Sequence, residues 1–227
     1  QIRVGLSSTV LGSSIYIFGG WSGTVPLIYA NDLWRFDTVA GSWDCCSRWQ
    51  RDSASGYGLD ATHPGRRFCP HVFAYQGDVF VFGGRDDSNR PGALPRYFND
   101  LWRFRVADNR CELLQPDEGT IGTPQADRPP GRYAAGHVAH DGTFYLYGGH
   151  NNSGATELND FWRYDLSSGA WTCIHPGSGE GVPSVRRAPA LVSEGRSLFL
   201  FGGCNFFHGD SDTGGPLPLN DLLEYPL

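Results

Sequence analysis

Phe144-Tyr145-Leu146-Tyr147-Gly148-Gly149, followed ten residues later by Asn159-Asp160-Phe161-Trp162, is the phrase that decides the fold. It occurs four times. Ile15-Tyr16-Ile17-Phe18-Gly19-Gly20 precedes Asn31-Asp32-Leu33-Trp34, and Val79-Phe80-Val81-Phe82-Gly83-Gly84 precedes Asn99-Asp100-Leu101-Trp102. Leu198-Phe199-Leu200-Phe201-Gly202-Gly203 precedes Asn220-Asp221-Leu222-Leu223. A unit of this length cannot bury its apolar faces alone and must stack on its neighbours.

Each repeat divides into short strands. Repeat two gives 68–75, a Gln76-Gly77 turn, 78–84, 98–105 and 110–114; repeat three gives 133–140, an Asp141-Gly142 turn, 143–149, 158–165 and 170–174. Four short strands joined by Gly- and Asp-bearing turns form an antiparallel meander. The second strand is apolar at every position, so the sequence predicts burial of both its faces, as in a blade held between two others. Glycine tolerates positive φ and close backbone approach, which lets the chain turn sharply at each pair. Trp34, Trp102 and Trp162 fall in third strands, and Trp43 and Trp171 in fourth strands, as large packing surfaces. Cys111 replaces the fourth-strand Trp in repeat two.

Composition bounds what such an assembly does. The 227 residues are 40% hydrophobic, with 31 Gly and 15 Pro, which suits a sizeable core with many turns. Net charge is −6, and all 18 basic residues are Arg. That balance disfavours phosphate-mediated nucleic-acid binding. No apolar run approaches the ~20 residues of a membrane helix. The first residues form no secretory signal, and the chain reads as a piece of a longer, cytoplasmic protein. Cysteines stand at 45, 46, 69, 111, 173 and 204 with no CxxC pair, so reduced, mostly buried thiols are expected rather than a zinc site.

The glycine pair, with Tyr164 and Trp171 downstream of Gly148-Gly149 and Phe36 and Trp43 downstream of Gly19-Gly20, resembles the kelch motif. The Asn-Asp-Leu-Trp phrase and the Arg before each first strand (Arg3, Arg67, Arg132 and Arg187) resemble kelch proteins of the Rab9-effector and cell-tip type. The resemblance covers nearly the whole chain. It implies an all-β, kelch-type β-propeller segment with four four-stranded blades, at about 1–47, 66–115, 131–175 and 186–227. The last blade lacks its fourth strand. The pairs lie 64, 65 and 54 residues apart, longer than the ~50 of an ordinary kelch repeat. Four blades with apolar outer faces imply that further blades or another chain complete the ring.

In kelch rings the second-to-third and fourth-to-first connections share the ligand-binding face. Here these are 21–30, 85–97, 150–157 and 204–219, with 47–65, 115–131 and 175–186. The resemblance therefore points to Trp21, Arg85, His150 and Cys204 at the mouth, with Asp86, Asn151, Asn205, Phe206 and Phe207 behind them. Long loops on a rigid scaffold carry function, and aromatics beside Arg suit an interface. The resulting reading is a non-enzymatic scaffold that binds proteins and needs no cofactor or metal. The competing reading is a kelch-fold enzyme acting on a small molecule or glycan. Against it, His137 and His140 should face opposite sides of one strand. No nucleophile elbow, phosphate loop or Glu-x-x-x-Asp-x-x-x-His iron string occurs. Asp210-Ser211-Asp212-Thr213-Gly214-Gly215 only partly matches a calcium loop and reads as a solvated acidic turn.

Overall fold

The computed structural model describes residues 3–22, 28–47, 62–86, 95–118, 127–151, 157–178, 181–209 and 216–227. Among them every regular element is a strand, and the all-β class stands. The chain divides into two compact units, Gln1–Gly119 and Thr120–Leu227, each holding two blades.

Blade 1 comprises β1 (Ser7–Leu11), β2 (Ser14–Phe18), β5 (Leu33–Asp37) and β6 (Ser42–Ser47), with a small ladder of β3 (Trp21–Ser22) and β4 (Ile28–Tyr29) inserted after β2. Blade 2 is the antiparallel meander β7 (His71–Tyr75), β8 (Asp78–Asp86), β9 (Arg96–Arg105) and β10 (Arg110–Gln115). Blade 3 repeats it with β11 (Gly136–His140), β12 (Thr143–His150), β13 (Glu157–Asp165) and β14 (Ala170–His175). Blade 4 has three strands, β15 (Ala190–Glu194), β16 (Ser197–Phe201) and β19 (Leu222–Pro226), with an inserted pair β17 (Cys204–Gly209) and β18 (Pro216–Pro218).

The turns follow from their residues. Gln76 and Gly77 sit at φ of 47° and 87°, and Asp141 and Gly142 at 45° and 74°. Two consecutive positive φ values make the tight hairpin whose twist matches its strands. Between third and fourth strands, Asp37 Oδ1 accepts the Val39 and Ala40 N–H groups at 2.9 Å, and Asp165 Oδ1 accepts those of Ser167 and Ser168. These side chains close the turn by mimicking a backbone acceptor.

Inside unit 1, Tyr16, Phe18 and Leu33 of blade 1 pack on Val72, Val79, Val81, Trp102 and Phe104 of blade 2. Inside unit 2, Tyr145, Tyr147 and Phe161 of blade 3 pack on Leu191, Leu198 and Leu200 of blade 4. Each such side chain contributes about 1.5–3 kcal/mol by leaving water. The same three backbone bonds stitch both blade pairs. Gly20, Arg67 and Cys69 N–H groups donate to Arg67, Ala30 and Gly5 carbonyls at 2.8, 3.1 and 2.7 Å. Gly149, Arg186 and Ala188 donate to Arg186, Leu158 and Ala134 at 2.9, 3.1 and 2.7 Å.

Burial on both faces holds for β8 and β12, but not for the second strands of repeats one and four, where the sequence also predicts it. In β2 and β16 buried and less buried residues alternate. One face packs within the unit. The other carries Val10, Ile15, Phe36 and Trp43 in cross-strand register on blade 1, and on blade 4 the pairs Val192 with Phe199 and Phe201 with Leu222. Trp43 is 52% exposed and Leu222 65%.

Candidate functional site

The site is built on a clamp that recurs in every blade. Arg67, fully buried, lays its guanidinium against Asp100, with Nη2 2.6 Å from Oδ2, while Nη1 donates to the Gly83 carbonyl at 2.9 Å. Arg132 does the same to Asp160 and the Gly148 carbonyl, and Arg186 to Asp221 and the Gly202 carbonyl. Arg3 pairs with Asp32 in blade 1. The indole N–H groups of Trp34, Trp102 and Trp162 donate to the same Oδ2 atoms that accept from Arg Nη2, at 2.7–2.8 Å. The planar Arg fork matches a carboxylate bidentately, which supplies the hydrogen bonds a buried ion pair requires. The clamp thus ties the residue before the first strand, the first glycine of the pair and the Asn-Asp of the third strand into one rigid corner.

One assignment changes here. Arg186, not Arg187, is the fourth clamp residue. Arg187 takes the place held by Val4, Phe68 and Tyr133, each bridged to the residue after a glycine pair: Val4 to Trp21, Phe68 to Arg85, Tyr133 to His150 and Arg187 to Cys204. Two adjacent arginines are indistinguishable by composition, and only this register separates them.

Beyond the corner, second and third strands continue as a hairpin. Trp21 pairs with Tyr29, Arg85 with Tyr97, His150 with Glu157 and Cys204 with Pro218. The connections expected at 21–30, 85–97, 150–157 and 204–219 are therefore strand at their bases. Their tips, 23–27, 87–94, 152–156 and 210–215, lie outside the described residues, and the acidic turn falls in the last of them. The strand pairing sets the burial of the residues that the sequence puts at and behind the mouth. Asp86, Asn151 and Asn205 are buried, His150 is 9% exposed, and Trp21, Arg85 and Cys204 are half-buried. Phe206 and Phe207 lie on β17, with side chains outside the described set.

In unit 1, the Arg85 guanidinium carbon lies 5.9 Å from the Tyr97 ring centroid. The buried Trp21 Nε1 donor has no acceptor within reach among the described residues. In unit 2 a polar cluster forms around Glu157, a residue the sequence reading passes over. Its carboxylate is buried. Arg187 Nε stands 3.7 Å and His150 Nδ1 3.8 Å from Glu157 Oε1, within ionic range but too far for hydrogen bonds. Arg187 Nη1 instead donates to the Tyr133 hydroxyl at 2.8 Å, and the Tyr133 and His150 rings meet edge to face at 5.5 Å. The signal that finds Glu157 is its register opposite His150, which depends on strand pairing.

A separate apolar cavity of about 340 Å³ lies within unit 2, between Tyr147, Phe161 and Ile174 of blade 3 and Leu191, Leu200 and Leu223 of blade 4. In unit 1 the residue at the repeat position of Leu223 is Trp102, a member of the core cluster against which Cys111 and Leu113 of β10 pack. Leu223 replaces that Trp. Burial pushes the Cys111 thiol up to about 12. All six cysteines are free thiols. Among the described residues no three His, Cys, Asp or Glu side chains are grouped to hold a metal ion, and no helix is long and apolar enough to cross a membrane.

The family profile described as the KLHDC2/KLHL20/DRC7 Kelch-repeats domain matches residues 47–226, and the Kelch motif matches residues 2–48. Kelch domain-containing protein 3 of Bos taurus is 30% identical over 205 residues, covering 88% of this chain and 47% of that protein. The Homo sapiens protein of the same name is 30% identical over 209 residues with the same coverage. Rab9 effector protein with kelch motifs of Mus musculus is 25% identical over 190 residues, 63% of this chain and 50% of that protein. The chain spans about half the length of the curated relatives it matches. The solved structure of YjhT superposes with a TM-score of 0.60 at 15% identity, covering 90% of this chain and 60% of that one, a likeness of fold.

Proposed function

The chain belongs to the kelch-repeat family, and from that premise we propose that it is a non-enzymatic protein-interaction module of a larger cytoplasmic protein. It binds its partner through the hairpins that follow the glycine pairs. The observation that carries this reading is their repetition. In all four blades the Arg–Asp clamp fixes a rigid corner, and from it the chain extends a paired hairpin into a connection of variable length. Rigid corners with variable tips present diverse side chains at little entropic cost, which is what a recognition surface requires. The acidic balance of the chain favours a protein partner over nucleic acid.

The test is capture of partners from a cell extract by the wild-type chain, Arg85→Glu and Phe207→Ser. Each variant should lose most of the captured material, with circular dichroism and thermal unfolding used to check that the variant chain is still folded when it is compared with wild type. Unchanged capture by both variants would sink the reading. Bound copper or iron in the purified protein, or a Tyr–Cys crosslink in its intact mass, would instead favour the enzymatic alternative.

A further inference from the structure

Resting on that interaction reading, we propose that Glu157 is the anchor of a ligand subsite in unit 2 and accepts hydrogen bonds from an uncharged amide N–H of the bound partner. The starting point is an imbalance. Glu157 is 1% exposed, and neither carboxylate oxygen has a hydrogen-bond partner among the described residues. The clamp carboxylates, the buried Asp100 and the partly buried Asp160, are each held by a forked Arg and an indole N–H. Burying a carboxylate without hydrogen bonds is costly, and such a group draws donors to itself.

Charge selects the class of donor. The Arg187 guanidinium already faces Glu157 Oε1 at 3.7 Å, so its field is partly met. An added ammonium or guanidinium would meet the Arg187 charge at close range, where like charges repel strongly in a medium poorer than water. What remains unmet is hydrogen bonding at two oxygens rather than charge. A neutral N–H donor supplies that without repulsion. A primary carboxamide brings two such donors on one nitrogen, whereas a hydroxyl brings one. Access is from the side of Arg187, whose side chain is 20% exposed while that of Glu157 is wholly covered. The chemistry is shared by two parts of a partner protein, an Asn or Gln side chain and a backbone amide.

The experiment titrates the full chain with acetamide, N-methylacetamide and guanidinium chloride at matched ionic strength, following the Arg187 Nε–H resonance by NMR. An Arg187→Lys spectrum provides its assignment. Acetamide should produce a saturable shift with a half-saturation concentration at least tenfold below that of guanidinium. Glu157→Gln, which keeps one acceptor oxygen and replaces the other by a donor, and Glu157→Asp, which withdraws the carboxylate by one methylene, should each weaken saturation while the rest of the spectrum stays folded. N-methylacetamide matching acetamide supports the subsite with a backbone source, and a weaker response supports a side-chain source. No saturable shift, tighter binding of guanidinium, or wild-type saturation in Glu157→Gln would each overturn the proposal. These readouts need no captured partner, so they fail or succeed separately from the capture test.

Discussion

Arg67 and Asp100 are 33 residues apart in the chain and form a two-pronged ion pair from which solvent is excluded. The Gly83 carbonyl and the Trp102 indole complete the corner, so both partners spend their hydrogen bonds on one another and on the blade.

Breaking this pair from one side should therefore be severe. Asp100→Asn leaves a buried guanidinium short of its counterion, at a cost of about 3–5 kcal/mol. Arg67→Met in the Asp100→Leu background, which removes both charges, should cost less than the single change. Urea unfolding of Asp100→Asn, Arg67→Met, Asp100→Leu and the double variant checks this. A double variant as unstable as the sum of the singles would mean the pair acts only through shape.

Cavity and clamp meet in blade 4. Leu223 stands where Trp34, Trp102 and Trp162 stand in the other blades, and it borders the 340 Å³ cavity. Leu223→Trp should place an indole in that space and offer an N–H to Asp221 Oδ2, as Trp102 does to Asp100. Filling a void of this kind commonly adds about 0.5–2 kcal/mol. The thermal midpoint should rise. A fall would show that the cavity walls cannot admit the ring.

The glycine pairs were legible in the sequence because their backbone requirement is local, and so were the turns at Gln76-Gly77 and Asp141-Gly142. Legibility fails where a residue's role depends on a partner far along the chain. Asn-Asp could be read as a strand signal, but not as half of a clamp, since the arginines lie 28–35 residues upstream. The sequence accordingly points to Arg187 before the fourth first strand, whereas Arg186 makes the clamp. Asp86, Asn151 and Asn205 stand behind the residues that the resemblance puts at the mouth, and no local signal marks their burial, which comes from strand pairing continued beyond the glycines. Glu157 carried no sequence signal at all, because its neighbours His150, Arg187 and Tyr133 come from three separate segments.

Close approach at a glycine is separable from its backbone angle. Gly148 has φ of +64°, and a Cβ there would lie 2.7 Å from the Arg186 carbonyl oxygen and 2.8 Å from that of Leu158. Gly12 has φ of +60° with open space around it. Gly12→Ala should cost only the strain of a positive φ, about 1 kcal/mol. Gly148→Ala should cost more than twice as much, because backbone must move. Equal losses in urea midpoint would remove the steric argument.

Acid should loosen the clamp of blade 4. At Asp221, hydrogen bonds from Arg186 hold the carboxyl below its ordinary value, with partial burial opposing them. In Asp32, burial pushes upward, but hydrogen bonds from Arg3 and Trp34 together outweigh it and the net direction is down. A carboxyl depressed in the folded state contributes stability that is fully present above its unfolded value, about 4. That contribution is lost as pH falls from there through the folded value. Asp165, held at about 2 by the Ser167 hydroxyl and the Ser167 and Ser168 N–H groups, places its part of the loss between about pH 4 and 2. Urea midpoints should thus be flat through these groups from pH 7 to 5 and fall steeply below 4. Asp221→Asn should lower the midpoint at pH 7 and show a shallower fall in acid, since one of the titrating groups is gone. An acid slope as steep as wild type in that variant would mean that Asp221 does not carry its share of the linkage.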